Sequence, residues 1–280
     1  MDFNGDQKLD VAVANLTGNT VSLLIGDGTG KYAAPVSIGF TGPSGLAVGD
    51  VNGDGKMDVL VTSTTNAVGV FLGSGAGTLA AATPPAVPVG ANPLDLVLGD
   101  INGDTKLDLI ATNLNDNTIS IRLGNGNGTF GATATMATNA GPIGIALADL
   151  NADKFLDLVV ANQTAGNASI YLGTGSGNFF STPTTLTTAA GTRYVVVSDL
   201  NRDGLLDLAF TNFSANNLGV YLGNGQGSFA GVTGSTLFGT GANPIGIAAG
   251  DFNGDGNQDL VASDFSAATL TLLLATEQCK

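Results

Sequence analysis

The chain has 280 residues, a formal charge of −14 and only nine Lys plus Arg. So few cations exclude recognition of a nucleic-acid backbone as a main role. There is no His and no Trp, Glu277 is the only Glu and Cys279 the only Cys, which removes the usual neutral-pH acid–base residue, most zinc designs and any internal disulfide.

In chain order, the first recognisable element is the loop DFNGDQKLD (2–10), followed by two apolar runs and the glycine-rich turn IGDGTGKY (25–32). The unit then recurs. A short apolar segment, LAVGD (46–50), leads into DVNGDGKMD (50–58). Two strand signals follow, MDVLVTS (57–63) and AVGVFLG (67–73), and then the turn LGSGAGTL (72–79). The next segments are LVLGD (96–100), IALADL (145–150), VVVSDL (195–200) and IAAGD (247–251). They enter DINGDTKLD (100–108), DLNADKFLD (149–157), DLNRDGLLD (199–207) and DFNGDGNQD (251–259). Turns recur as LGNGNGTF (123–130), LGTGSGNF (172–179) and LGNGQGSF (222–229). Pro43, Pro93, Pro142 and Pro244 punctuate strand starts, and small residues (Gly49, Gly99, Ala148, Ser198, Gly250) precede the loops, allowing close backbone approach. No run reaches the length of a membrane-spanning helix, and no signal-peptide pattern is present.

Four short strands in each unit of about 50 residues predict an all-β fold, a β-propeller of four-stranded blades with six repeats visible. The first unit lacks the strand expected before Asp2, and the last lacks the glycine-rich turn and fourth strand. The count is therefore about 22 strands. A ring with incomplete blades, a piece of a larger propeller, completion between chains and a linear solenoid all remain open. The continuity of the repeats predicts a single repeat domain over residues 1–280. The turns follow strands but open no helix, which argues against a dinucleotide site.

All acidic residues except Glu277 are Asp, and three stand in each of the six loops at positions 1, 5 and 9, with Asn at position 3. Calcium accounts for this choice: a hard cation needs several oxygen ligands, and alternate positions of a tight loop supply them. Three carboxylates without a cation would repel one another. The expected ligands, with the position-7 carbonyl as the fifth, are Asp2, Asn4, Asp6, Lys8 and Asp10 in the first loop, and Asp50, Asn52, Asp54, Lys56 and Asp58 in the second. The third has Asp100, Asn102, Asp104, Lys106 and Asp108; the fourth Asp149, Asn151, Asp153, Phe155 and Asp157. The fifth has Asp199, Asn201, Asp203, Leu205 and Asp207; the sixth Asp251, Asn253, Asp255, Asn257 and Asp259. Up to six Ca²⁺ are expected, one per loop. Metal-free Asx-turns are the competing reading, but a turn does not need three carboxylates. An EF-hand is excluded, because its position-12 Glu is replaced by Val13, Val61, Ala111, Val160, Phe210 and Ala262, each inside an apolar run. Position 6 is Gly in three loops but Gln7, Thr105 and Lys154 in the others. With Ala152 also present, the fourth loop is the expected weakest site.

The DxNGDGxxD loop and LGxGxGxF turn together resemble the FG-GAP/VCBS repeat family, which includes integrin α-subunit propellers and microbial and fungal propeller lectins. The resemblance covers nearly the whole chain and implies calcium held between the first two strands of blades. It also implies a secreted or cell-surface location and a binding or adhesive role toward an extracellular protein or glycan. Integrin loops usually carry Asp at position 3; Asn4, Asn52, Asn102, Asn151, Asn201 and Asn253 are closer to the microbial and lectin branches. No catalytic residues are expected. A structural or self-assembling surface role and a non-catalytic module of a larger secreted protein are the alternatives. Five residues before the loops, Asp95 and Tyr194 replace the Gly45, Gly144 and Gly246 of other copies, beside Arg193; they are read as ordinary surface variation, with a position facing the central opening as the alternative. Tyr32, Phe130, Phe179 and Phe229 end the turns and are read as inter-blade core. Sequons at Asn15, Asn162, Asn167 and Asn212 are candidate glycan acceptors in a secretory pathway.

Overall fold

The structure is a computed structural model describing residues 1–232 and 236–275; Glu277 and Cys279 lie outside the described residues. All regular structure among the described residues is β-strand. The chain forms an all-β propeller fold of six small antiparallel sheets, gathered into two compact units, Met1–Ala137 and Thr138–Lys280.

In the first unit, one sheet contains β1 (Val11–Asn15), β2 (Thr20–Leu24) and β3 (Val36–Gly39). The next contains β4 (Pro43–Gly49), β5 (Asp58–Ser63), β6 (Ala67–Gly73) and β7 (Leu79–Pro88). The third contains β8 (Pro93–Gly99), β9 (Asp108–Asn113), β10 (Thr118–Arg122) and β11 (Ala134–Ala137). In the second unit, β12 (Pro142–Ala148), β13 (Asp157–Asn162), β14 (Asn167–Tyr171) and β15 (Thr184–Thr187) form the fourth sheet. The fifth contains β16 (Thr192–Ser198), β17 (Asp207–Asn212), β18 (Asn217–Gly223), β19 (Phe229–Gly231) and β20 (Leu237–Gly239). The last contains β21 (Pro244–Gly250), β22 (Asp259–Asp264) and β23 (Thr269–Leu273). The prolines begin β4, β8, β12 and β21, and the ninth Asp of the loop begins β5, β9, β13, β17 and β22, as the sequence predicts. Among the described residues the expected 22 strands become 23, because β19 and β20 both pair with β18 where one fourth strand was anticipated.

Strand periodicity explains the packing. Successive residues of β5 point to opposite faces: Val59 and Val61 join the cluster with Phe3 of the first loop and Val21 and Leu23 of the first sheet, and Leu60 joins the cluster with Leu96 and Leu109 of the third. Both faces are covered, so the second strand of each of the second to fifth sheets is fully buried and reads as a continuous apolar run. In the fifth sheet Leu208 and Phe210 face the fourth-sheet cluster, and Ala209 faces the cluster with Leu260 and Ala262. Each fully buried Leu of this kind contributes about 1.5–3 kcal/mol. Phe40 and Phe71 add an edge-to-face contact at 5.3 Å, and Phe210 and Tyr221 another at 5.8 Å.

Phe130 and Phe229 pack on these clusters and Phe179 is buried, as expected. Tyr32 is not core: it is 47% exposed, because its sheet stands at the edge of the first unit, with no preceding sheet in that unit to cover it. At Gly49 the small residue before the loop has a different reason from the one expected. A Cβ at Gly49 would stand 2.6 Å from Leu107 Cδ1, so it is a side chain of the next sheet's loop, not backbone, that needs the space.

Each first strand carries a bulge just after its start, between Pro43 and Leu46 in β4 and at the matching places in β8, β12, β16 and β21. The residues that depart from repeat symmetry sit there. Gly45 N–H donates to Thr62 Oγ1 (2.7 Å), Asp95 N–H to Thr112 Oγ1 (3.2 Å), Tyr194 N–H to Thr211 Oγ1 (3.1 Å) and Gly246 N–H to Ser263 Oγ (3.0 Å). A Cβ at Gly45 would lie 2.7 Å from Asp95 Cα, and one at Gly144 2.7 Å from Tyr194 Cα. The backbone of the next first strand is closer still, with Leu94 O 2.5 Å from the Cβ position at Gly45 and Arg193 O 2.5 Å from that at Gly144, so close approach of main chains keeps both residues glycine.

Candidate functional site

The loops begin as chemistry of the backbone. In the second, Asp50 Oδ1 accepts N–H groups from Asn52 (3.3 Å), Gly53 (2.7 Å) and Asp54 (3.2 Å), while Oδ2 accepts from Gly55 (2.7 Å). Asn52 Oδ1 accepts from Asp54 N–H (2.9 Å), and Asp54 Oδ1 from Lys56 N–H (3.0 Å). Positions 4 and 6 have positive φ in all six loops, which glycine adopts freely. Gln7 (φ 65°), Thr105 (φ 69°), Ala152 (φ 61°), Lys154 (φ 75°) and Arg202 (φ 63°) take the same conformation with a side chain. The fourth loop holds two of these residues. The requirement at position 4, seen again at Arg202, was missed in the sequence, although Gly at that position in four loops signalled it.

The ninth Asp has a second task. Asp58 Oδ2 accepts from Val51 N–H (2.9 Å) inside the loop, and Oδ1 accepts from Gly73 N–H (2.8 Å) at the end of the third strand. The same pair of bonds recurs in the other five loops, with Asp259 reaching Phe252 and Ala275. Asp58, Asp108, Asp157 and Asp207 are fully buried. Burial pushes their carboxyls above the ordinary range, and the negative charges of the fifth and first Asp of the same loop push them further. On the exposed side the effect is opposite: the N–H groups of Lys8, Lys56, Lys106 and Asn257 hold Asp6, Asp54, Asp104 and Asp255 below it.

Position 7 ties loop to turn. Lys8, Lys56 and Lys106 pair with Asp6 (3.4 Å), Asp54 (3.4 Å) and Asp104 (3.2 Å), and their stems lie on Gly28, Gly75 and Gly126. Phe155 and Leu205 cover Gly175 and Gly225 in the same way. In loops four, five and six the Asn side chain instead donates to the fifth Asp, as Asn151 does to Asp153 Oδ2 at 2.9 Å.

The donor set suits a hard cation, since every loop offers three Asp carboxylates, which repel one another, and a neutral Asn amide oxygen. Among the described residues, no three Asp, Glu, His or Cys side chains converge as a preassembled metal cage. The first- and fifth-position carboxylates are turned onto N–H groups of their own loop, and the ninth onto one of its loop and one at the end of the third strand.

Away from the loops, Arg193 stands over the Phe213 ring at 4.9 Å, with its buried Nε unpaired. A polar cleft of about 580 Å³ lies between hairpins of the fourth and fifth sheets, lined by Gln163, Thr164, Thr188 and Ser214 among others. Two sequons fail as glycan acceptors: Asn162 and Asn212 are fully buried, and their amides donate to Asn167 Oδ1 (3.0 Å) and Asn217 Oδ1 (2.8 Å). Sequence reasoning also passed over Arg122, a buried guanidinium donating to the carbonyls of Pro88 and Gly131.

A profile for the FG-GAP-like repeat matches five overlapping stretches, residues 2–61, 50–111, 100–160, 149–210 and 199–262. No curated protein sequence matches the chain. Among solved structures, a lectin from Agrocybe aegerita that recognises non-reducing terminal N-acetylglucosamine aligns at 19% identity and TM-score 0.63, over 94% of this chain and 73% of its own. A functionally unknown protein from Desulfotomaculum acetoxidans aligns at 15% identity and TM-score 0.68, over 96% of this chain and 83% of its own. BBS1N, solved in complex with ARL6DN, aligns at 14% identity and TM-score 0.63, over 97% and 76%. These likenesses concern the fold.

Proposed function

The chain belongs to the FG-GAP-like repeat family, and from that premise we propose that it is a calcium-stabilised, non-catalytic binding module that works outside the cell. The observation that carries this reading is the charge arrangement of the loops. A buried carboxylate such as Asp58 is raised by its own burial and by the charges of Asp54 and Asp50, and a divalent cation would relieve that repulsion. Each ion would be held by the side-chain oxygens of positions 1, 3, 5 and 9 and the carbonyl of position 7. When bound it supplies charge neutralisation and fixes the loop where the first strand passes to the second.

Thermal unfolding with excess calcium and after chelation tests the reading. Saturation at 100-fold over Kd stabilises by about 2.7 kcal/mol per site, so the midpoint is expected to rise; an unchanged midpoint overturns it. Asp54→Asn sharpens the test. It keeps an acceptor for Lys56 N–H and removes one charge, so the calcium-induced rise should shrink while metal-free stability holds.

For the ligand, the hydroxyl- and amide-lined cleft near Thr164 and Thr188 supports a carbohydrate, as does the likeness in fold to a lectin. Several such clefts on one repeat scaffold would bind multivalently. A glycan array run with calcium present is the measurement. Absence of any glycan signal, together with capture of a protein ligand, removes the carbohydrate version and keeps the binding module.

A further inference from the structure

Seven asparagines stand directly before a glycine: Asn4, Asn52, Asn102, Asn125, Asn127, Asn224 and Asn253. The pair carries latent chemistry, because the glycine nitrogen, once deprotonated, can attack the asparagine Cγ and close a ring. Glycine obstructs that approach least, having no Cβ. The attack needs a glycine N–H that is not committed elsewhere. It also needs support for the negative charge that develops on Oδ1.

The fold withholds one or the other from most of these pairs. In the loops, Gly5, Gly53, Gly103 and Gly254 N–H each donate at 2.7 Å to the first Asp of the loop. A carboxylate on that N–H opposes loss of its proton. Gly128 N–H is committed to the Val51 carbonyl (2.9 Å). Gly126 N–H has no partner among the described residues, but neither has Asn125 Oδ1, since that side chain donates through Nδ2 to Thr129 Oγ1 (2.9 Å).

Asn224 has both. Its Oδ1 accepts N–H groups from Gln226 (2.9 Å) and Ser228 (3.2 Å). Gly225 N–H has no partner among the described residues, and the asparagine is exposed to water. Asn224 N–H on the Ser228 carbonyl (3.1 Å) holds the turn closed. Two fixed backbone donors therefore face the oxygen on which charge develops, as in an oxyanion hole. The nucleophile beside them needs no bond broken.

We propose that Asn224 is a site of spontaneous covalent modification promoted by its own turn. Gly225 N loses its proton to hydroxide, the N–Cγ bond forms, and the side-chain nitrogen takes up a proton and leaves as ammonia. Water then adds to one carbonyl of the cyclic imide, and one of its two C–N bonds breaks. Breaking N–Cγ leaves aspartate; breaking the original peptide bond leaves isoaspartate, whose backbone runs through Cβ and Cγ. The aspartate form already has a precedent in the fold. Asp27, at the matching place in the first turn, accepts from Thr29 N–H (2.7 Å) and Lys31 N–H (3.3 Å). The isoaspartate form lengthens the backbone just before Gly227, whose N–H is bonded to the Leu150 carbonyl of the fourth loop (3.2 Å). Modification thus reaches the contact between the fourth and fifth sheets. It draws on no metal and is independent of the calcium reading.

The test is timed incubation of the folded chain in mildly alkaline buffer, followed by digestion and mass spectrometry of the peptides. Amide-to-acid conversion is read at each of the seven asparagines. Asn224 is expected to convert first, about tenfold or more ahead of Asn52 and Asn102, whose glycine N–H must leave a charged acceptor. In urea only the shared Asn-Gly sequence remains, and the rates should draw level. The isoaspartyl fraction should unfold at a lower midpoint than Asn224→Asp, which should match the parent chain. Conversion of Asn224 no faster than that of Asn125 or Asn127 in the folded chain overturns the proposal. So does the same order of rates in urea, which would assign the preference to sequence and not to the turn. An isoaspartyl fraction as stable as Asn224→Asp overturns the effect on the junction.

Discussion

Asp58 and Gly73 lie 15 residues apart and are joined by a 2.8 Å bond from the glycine N–H to a fully buried carboxylate oxygen. The same carboxylate holds Val51 N–H, so one side chain closes the loop and anchors it to the third strand. Asp58→Ala leaves two buried donors unpaired and should cost about 2–5 kcal/mol without metal. Asp54→Ala, on the exposed side, should cost less than about 1 kcal/mol. Urea denaturation of the two variants in metal-free buffer separates the roles, and equal losses would contradict them.

Thr105 occupies a left-handed position at φ 69° that three other loops fill with glycine, and it is β-branched. Such a conformation costs about 1–3 kcal/mol. Thr105→Gly is therefore expected to raise the unfolding free energy by about 1 kcal/mol, after the entropy that glycine adds to the unfolded chain is taken off. A drop in the denaturation midpoint would refute the strain.

Asp264 stands at the end of β22, where the matching positions are Asn15, Asn113, Asn162 and Asn212, or Ser63. It is 2% exposed; Oδ2 accepts from Thr269 (3.0 Å) and Thr271 (2.8 Å), and Oδ1 is buried with no partner. Asn113 places its amide on Thr118 and Ser120 in the same setting. Asp264→Asn should keep those contacts without burying a charge, stabilising the sheet by about 1–2 kcal/mol. Calorimetry of the variant near neutral pH decides it, and a lower midpoint would count against the argument.

The two classes of loop carboxylate respond oppositely to pH. Asp58, Asp108, Asp157 and Asp207 are raised above 3.8, so the folded state holds their protons longer, and stability falls as pH climbs from that value through the folded pKa. Asp6, Asp54, Asp104 and Asp255 are lowered below 3.8, so their contribution is present above it and lost as pH falls through the folded pKa. Metal-free protein should therefore be most stable near pH 4, and calcium should flatten the decline on the alkaline side. Urea midpoints from about pH 3 to about pH 7 give the profile. A steady rise from about pH 4 to about pH 7 without metal would contradict it.

Much of the molecule was legible in its sequence because each repeat writes its constraints locally. Proline at strand starts, Asp at the ninth loop position and glycine at left-handed turns are demands of the backbone on single residues, and six copies make them readable. The run Val59, Leu60 and Val61 likewise gave a strand signal, and the structure buries that strand on both faces. What joins one repeat to the next could not be read this way. The burial of Asn162, the exposure of Tyr32 and the collision that keeps Gly45 small beside Asp95 depend on residues tens of positions away. The sequence by itself determined the blades and their oxygen-rich loops, since those follow from local backbone geometry and charge. Only the tertiary structure decided which glycine serves which neighbour, because close packing is a property of pairs of sheets.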